Sequence, residues 1–424
     1  MTNPAAVPAT APTAPKVLEV HAPGETGWLT PAEVAALTPE SVRERVAALR
    51  PMIAEHAAES ERLGYPHPAV WEALRATGFF YHFVPKKYGG CEFGPEDFFL
   101  TSCLIAEACA STCWATTFTV EHNWIASLYP KEAQDQFFAN GRYMIAPAVS
   151  TPPGMATRVP GGYRLSAHWK WGSGVMHSNW CIGMALVPGE GDAPPTTRWM
   201  AFPMSQAKVL DTWYVSGLAA TGSNDIVVES IFVPEHMAIA AADMQFGTTP
   251  GSKLHDNPVY RMPSTAFLAL VTSAPTIGAA RGAVEIFREK LKTRKMIGTQ
   301  TILGEKTNFQ VMLAKADLMV RTAELLFITL TRGVLERAAN GQNNDIAARM
   351  ASTAQNAYAS HLARDAIRLV LDNAGSSVHM LSEPLQRMAR DANVACGHLI
   401  QDFEQLAEQH GRSMLGLPPL TYFF

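Results

Sequence analysis

The chain has 424 residues, 34 basic and 38 acidic, a formal net charge of −4 and a charged fraction of only 17%. Its length exceeds one ordinary core and points to two or three domains, and with no basic excess the charge advertises no nucleic acid. A hydrophobic share of 47% supplies sizeable cores, and the shortage of charge points to surface covered by further copies of the chain.

Five prolines (Pro4, Pro8, Pro12, Pro15, Pro23) and six alanines fall in the first 24 residues, with no charged n-region and no apolar run of signal-peptide length. Residues 1–25 read as a disordered arm or an extension draped over the fold. Nowhere do 18 apolar residues run uninterrupted, which argues on length against a membrane span and for a soluble, cytoplasmic chain. Cys91, Cys103, Cys109, Cys113, Cys181 and Cys396 form no CxxC pair and no metal-ligand spacing. They read as small buried hydrophobes in a reducing compartment.

Thr38-Pro39-Glu40-Ser41 offers an N-cap, a first-turn proline and an acidic residue, followed by Val42, Val46, Leu49, Met52 and Ile53 at helical spacing. The pattern predicts a helix over 39–62 with a kink or restart near Arg50, because Pro51 removes a backbone donor. A short helix over 68–76 stops at Gly78, and 95–128 carries long helical periodicity, so 26–140 reads as a helical domain. Alternation then replaces the helical period. Tyr163–Trp171, Ser178–Val187, Thr197–Pro203, Lys208–Val215 and Asp225–Val233 are strand-like runs between glycine and proline turns. Residues 141–250 read as an antiparallel β domain, and from 251 to 424 helical segments of 25–35 residues predict a bundle. No Gly-x-Gly-x-x-Gly follows a strand, so the sequence offers no Rossmann-type nicotinamide site.

That order, with Gly78-Phe79-Phe80 leading into Val84-Pro85-Lys86-Lys87-Tyr88-Gly89-Gly90, resembles the acyl-CoA dehydrogenase fold. The resemblance implies an α+β architecture: an N-terminal helical domain, a central antiparallel β-barrel domain and a C-terminal four-helix bundle. Further motifs narrow it: Ser111-Thr112-Cys113-Trp114, Glu121-His122-Asn123-Trp124, Trp171-Gly172-Ser173-Gly174 with His177, Trp213 to Leu218 running into Thr221-Gly222-Ser223-Asn224, Pro258 to Pro263, and Arg390-Asp391-Ala392 with His398. These are similar to the oxygenase components of two-component flavin-dependent monooxygenases, such as the hydroxylases of 4-hydroxyphenylacetate and of phenolic secosteroids. Many acyl-CoA dehydrogenases carry a catalytic glutamate after the Arg-Asp-Ala segment. This chain has Leu399 there, and a leucine cannot abstract a proton.

The resemblance implies a homotetramer that takes reduced FMN, or alternatively FAD, from a separate NAD(P)H-dependent flavin reductase. With O2 the flavin would form a C4a-hydroperoxide and hydroxylate an aromatic, phenolic substrate. N- or S-oxygenation, or an FAD-dependent acyl-CoA dehydrogenase, are the alternatives. His398 would supply or hold a proton at the flavin's reactive edge, His122 would orient a phenolic hydroxyl, and Ser173 would lie near flavin N5. Trp114 and Trp171 would pack around the isoalloxazine. Ser150 would be a flavin contact, in a stretch, Ala148 to Gly154, that departs from the relatives. Arg261 is either a charge near N1 or a solvated loop arginine. Arg294 would reach a flavin phosphate across a subunit interface, and Gly375, Ser376 and Ser377 would let the backbone approach the cofactor's tail. The C-terminal Tyr422-Phe423-Phe424 is more aromatic than the family leads one to expect.

Overall fold

The computed structural model describes residues 15–24 and 27–421. Residues 1–14 of the arm and the aromatic end Tyr422 to Phe424 lie outside the described residues.

The first helices are α1 (Pro31–Ala35), α2 (Pro39–Ala48), α3 (Arg50–Leu63), α4 (Pro68–Ala76), α5 (Pro95–Ala106), α6 (Ala110–Ser127) and α7 (Lys131–Phe137). Thr38 caps α2 in a reciprocal box with Ser41, Pro39 opens its first turn, and the helix restarts at Arg50 as Pro51 requires. The long periodicity over 95–128 resolves into two helices. The chain breaks at Glu107–Cys109, and Cys109 Sγ accepts the Thr112 N–H at 3.4 Å to start α6. Cysteine is not a residue that sequence reading takes for a cap.

Among the described residues eight strands form one sheet: β1 (Val17–Leu18), β2 (Ala148–Val159), β3 (Gly162–Gly172), β4 (Trp180–Val187), β5 (Thr196–Pro203), β6 (Lys208–Leu210), β7 (Asn224–Pro234) and β8 (Ala238–Ala240), in spatial order β1-β6-β7-β3-β2-β4-β5-β8. The described part of the N-terminal arm takes the draped form, Val17 pairing with Leu210. Three expectations are corrected. The sheet is not wholly antiparallel, because β2 runs parallel to β4. Strand β2 was hidden in the sequence by Pro152, Pro153 and Gly154; the ladder accommodates them by shifting register between Val149 and Gly154. The strand expected over Lys208–Val215 ends at Leu210, because the Thr212 and Trp213 N–H groups both turn to the Asn224 side-chain oxygen at 3.0 Å.

After the short α8 (Ala241–Phe246), the bundle comprises α9 (Ser264–Thr293), α10 (Thr307–Ala339), α11 (Ile346–Asn373) and α12 (Pro384–Cys396), with α13 (Phe403–Met414) against α11. Helix α9 is its axis. It crosses α5 so closely that a Cβ on Gly278 would lie 2.5 Å from the Cys103 carbonyl and one on Gly282 2.3 Å from that of Glu107. Length and composition alone would let α9 cross a membrane, which the count of uninterrupted apolar residues overlooked. Its most apolar window is 88% buried inside the protein, so its apolarity serves the core. All six cysteines are buried and unpaired.

Candidate active site

Helix α6 sets Trp114, Phe118, Glu121 and His122 on one face, at i, i+4, i+7 and i+8. Trp114 stacks on Phe118 with ring centroids 4.8 Å apart, and Phe118 meets His122 edge-on at 5.8 Å. His398, just beyond α12, closes on the same stripe, 5.5 Å from Trp114 and 6.4 Å from Phe118. Two histidines far apart in the chain thus flank one aromatic ring.

Backbone partners decide which nitrogen of each ring carries the hydrogen. His122 Nδ1 lies 2.6 Å from the Ala146 carbonyl, which can only accept, so Nδ1 is protonated and Nε2 is a bare acceptor. His398 is the reverse: its Nδ1 accepts the Ile400 N–H at 3.3 Å, which leaves the hydrogen on Nε2 as a donor. Burial pushes both imidazoles down to about 4, so both are neutral near pH 7. The face offers one acceptor and one donor.

Across from α6, the end of β3 bulges. The β3–β7 register shifts between Trp169 and Gly172, Trp171 takes a left-handed φ of 66°, and the residue is 56% exposed. Trp171 therefore stands out from the surface and does not pack in the core. Ser173 follows, half-buried, and its Oγ accepts the Trp114 Nε1–H at 3.1 Å. A chain of hydroxyls runs inward from it: Ser173 Oγ to Ser223 Oγ at 2.9 Å, Ser223 to Thr221 Oγ1 at 2.7 Å, and Thr221 donating to the Leu218 carbonyl at 2.8 Å.

Asp391 anchors this loop to the bundle. Buried at the heart of α12, it accepts the Leu218 N–H at 2.7 Å and the Ser111 hydroxyl at 3.1 Å, and burial pushes its carboxyl up to about 6. Gly217 lets the loop come this near, since a Cβ there would lie 2.3 Å from the Arg390 carbonyl.

The remaining sequence candidates lie elsewhere. Ser150 sits half-buried in the β2 bulge, its Oγ 3.4 Å from Thr151 Oγ1. Arg261 braces its own loop through the His255 and Asp256 carbonyls at 3.3 and 3.2 Å. Arg294 and Gly375 do meet: the guanidinium donates to the Ala374 carbonyl, and a Cβ on Gly375, whose φ is 83°, would lie 2.5 Å from it. Among the described residues Arg294 has no carboxylate partner, whereas the neighbouring Arg288, Lys290 and Lys292 are paired with glutamates. Ser376 and Ser377 are exposed on the same turn. No hydrogen bond, ion pair or ring contact among the described residues joins Arg294 or Gly375 to Trp114, Phe118, His122 or His398 of the same chain.

Sequence reading assigned no role to Phe118, Thr221, Ser223 or Glu121. Helical spacing from Trp114 was the available signal for Phe118 and Glu121. The Glu121 carboxyl is 1% exposed, hydrogen-bonded to nothing among the described residues, and 3.4 Å from His122 Nε2. One further His/Glu trio, His56, Glu59 and His67, converges within 4.8 Å. It makes a poor metal site, because His67 Nδ1 accepts the Ala69 N–H and so Nε2 carries the hydrogen.

These groups fit a flavin. An exposed indole and an accepting hydroxyl suit the ring system, the His398 imidazole lies beside the Trp114 ring that donates to that hydroxyl, and a guanidinium that has no carboxylate partner among the described residues, meeting a glycine turn, suits a phosphate. The position that would hold a dehydrogenase's carboxylate is Leu399, 50% exposed.

Comparison with known proteins agrees. The acyl-CoA dehydrogenase N-terminal domain matches residues 38–138 and the acyl-CoA dehydrogenase C-terminal domain residues 270–403. A pigment production hydroxylase of Rhodococcus sp. (strain ATCC 21145) is 33% identical over 384 residues, 90% of this chain and 98% of that protein. HsaA of Rhodococcus jostii (strain RHA1), the oxygenase subunit of a flavin-dependent monooxygenase, is 30% identical over 88% of this chain and 98% of its own. The structure of XiaF from Streptomyces sp., solved with FADH2 and glycerol, is similar with a TM-score of 0.83 at 27% identity, covering 92% of this chain and 98% of that one. The chain belongs to the oxygenase components of the flavin-dependent monooxygenases built on the acyl-CoA dehydrogenase fold.

Proposed function

We propose that this oxygenase component hydroxylates a phenolic ring held between His122 and His398. The observation that carries the reading is their opposite polarity across Phe118: an acceptor at His122 Nε2 and a donor at His398 Nε2. Bound reduced flavin supplies, with O2, the electrophilic oxygen. His122 accepts a hydrogen bond from the phenolic hydroxyl and so enriches the ring in electron density, while His398 offers its N–H to the reacting oxygen. Ser173 accepts from flavin N5, and Trp114 and Trp171 keep the site flat and dry. Ser150 and Arg261 remain proposed flavin contacts, from the rim and the loop.

The flavin is reduced FMN, with FAD the alternative. Its phosphate lies on Arg294 and the Gly375–Ser377 turn of a neighbouring subunit, a reading supported by a guanidinium that has no carboxylate partner among the described residues and meets Gly375. Helix α10 supports a homotetramer: Val311, Leu318 and Leu325 recur every seventh residue and are 60–67% exposed, an apolar stripe that another copy would cover. The absence of a dinucleotide fingerprint supports a separate NAD(P)H-dependent reductase, and six buried free thiols support a cytoplasmic setting.

The test supplies FMN, NADH and O2 with an unrelated flavin reductase and a panel of phenols and their O-methyl ethers. A product heavier by one oxygen should form from phenols alone and only with the reductase present. Turnover without reductase, or equal turnover of the ethers, overturns the reading.

A further inference from the structure

The hydroxyl chain behind Ser173 has a direction, and that direction has a consequence for the flavin. The Leu218 carbonyl, which also takes the Trp213 indole N–H at 3.0 Å and the Thr221 N–H at 3.1 Å, can only accept, so its 2.8 Å contact with Thr221 Oγ1 requires the single Thr221 hydroxyl hydrogen between the two oxygens. Thr221 Oγ1 then receives the Ser223 hydrogen at 2.7 Å, and Ser223 Oγ receives that of Ser173 at 2.9 Å. At the outer end the Trp114 indole, which can only donate, occupies one lone pair of Ser173 at 3.1 Å. The carbonyl end sets the direction, and the indole takes up one of the two Ser173 lone pairs. Ser173 is left with no hydrogen to give and one lone pair to offer.

We infer that Ser223 and Thr221 are positioning residues that hold Ser173 as an obligate acceptor and thereby make the site select reduced over oxidised flavin. The inference rests on the reading that Ser173 faces flavin N5. Reduced flavin carries a hydrogen on N5 and completes a hydrogen bond with the free lone pair. Oxidised flavin presents a lone pair there, so two acceptors face each other. A lone serine would rotate its hydroxyl to suit either state; this one is locked by two buried hydroxyls, Ser223 at 3% and Thr221 at 1% exposure. The locked polarity would also let the protein release spent flavin to the solution, where a reductase can reach it.

The experiment measures dissociation constants for oxidised FMN and, anaerobically, for reduced FMN, in the wild type and in Ser223→Ala, Ser223→Thr, Thr221→Val and Ser173→Ala. Wild type should favour reduced FMN by about tenfold or more. In Ser223→Ala the Ser173 hydrogen loses its acceptor and is free to turn outward, so oxidised FMN should bind about three- to tenfold tighter while reduced FMN changes little, and the preference should narrow. Thr221→Val should do the same at one remove, by letting Ser223 reverse, and Ser223→Thr should restore the preference. Ser173→Ala should weaken reduced FMN and, since it removes the facing lone pair but adds no donor, tighten oxidised FMN less than Ser223→Ala does. If Ser173→Ala collapses the preference and Ser223→Ala and Thr221→Val do not, the chain does not set the polarity and the inference fails. If Ser173→Ala leaves the preference intact, the N5 contact itself is wrong and the inference falls with it. A purely structural role would lower the melting temperature and shift both constants in parallel, which also overturns it.

Discussion

Glu121 and His122 are neighbours on α6, and their side chains bring a carboxyl oxygen to 3.4 Å from an imidazole nitrogen without a hydrogen bond between them. The imidazole nitrogen is the bare one, since Nδ1 is spent on Ala146. An ionised carboxylate facing a lone pair in a dry site would be costly, and burial alone pushes the Glu121 carboxyl well above the ordinary carboxylate range.

That cost can be measured. The folded chain holds a proton on Glu121 that the unfolded chain releases once the pH passes the ordinary glutamate value of 4.5, so stability falls as the pH rises above that point. Glu121→Leu, close in volume and uncharged, should melt higher than wild type at pH 8, with a smaller gain at pH 5. Thermal melts at the two values check it; a lower melting temperature at pH 8 would mean that the carboxyl is paired.

Much of the fold follows from periodicity. Val42, Val46 and Ile53 mark helix faces, and Pro51 marks the restart at Arg50. Alternation cannot reveal direction, so the parallel β2–β4 pair stayed hidden, and Pro152-Pro153 disguised a strand as a turn. At the site, motifs named His122, Ser173 and His398, but polarity comes from backbone atoms, Ala146, Ile400 and Leu218, that topology delivers. Nothing in the residue order says that Thr221 donates to a carbonyl or that Glu121 lacks a partner.

Arg294 tests the phosphate corner. Charge-assisted bonds to a phosphate are worth about 1.5–3 kcal/mol, so Arg294→Ala should weaken reduced FMN by about ten- to a hundredfold. Reduced riboflavin, which has no phosphate, should bind the variant and the wild type alike. Equal losses for both flavins would make Arg294 a support for the Ala374–Gly375 turn only.

Asp391 is the clamp between α12 and the loop that ends the hydroxyl chain. Asp391→Ala leaves the Leu218 N–H without its acceptor and should cost about 1–3 kcal/mol. The local signature is faster hydrogen exchange at the Leu218 amide, while amides in α10 should slow or quicken only with global stability. Unchanged exchange at Leu218 would show that the loop is held by other contacts.

His82 gives a pH test away from the site. Its Nε2 donates to the Gly94 carbonyl at 2.9 Å, it lies among Phe79, Phe83, Phe93 and Phe98, and burial pushes it down to about 4 from an ordinary 6.5. Above pH 6.5 the ring is neutral in both folded and unfolded chains, and its protonation adds nothing to the pH dependence. As the pH falls from 6.5 toward 4, the unfolded chain takes up a proton that the folded one refuses, so stability is lost through that window. By pH 5 this ring alone accounts for about 2 kcal/mol of the loss. His122, His177, His255 and His398 are lowered as well, so the wild type should lose stability steeply on acidification. His82→Gln keeps a donor for Gly94 but gives up ring packing, and should be less stable at pH 7 by about 1–3 kcal/mol. Its further loss between pH 7 and pH 5, read from urea unfolding at each, should be smaller than the wild type's by about 2 kcal/mol. If the two losses are equal, the His82 ring is not held neutral by burial, and the acid sensitivity must be assigned to the other histidines.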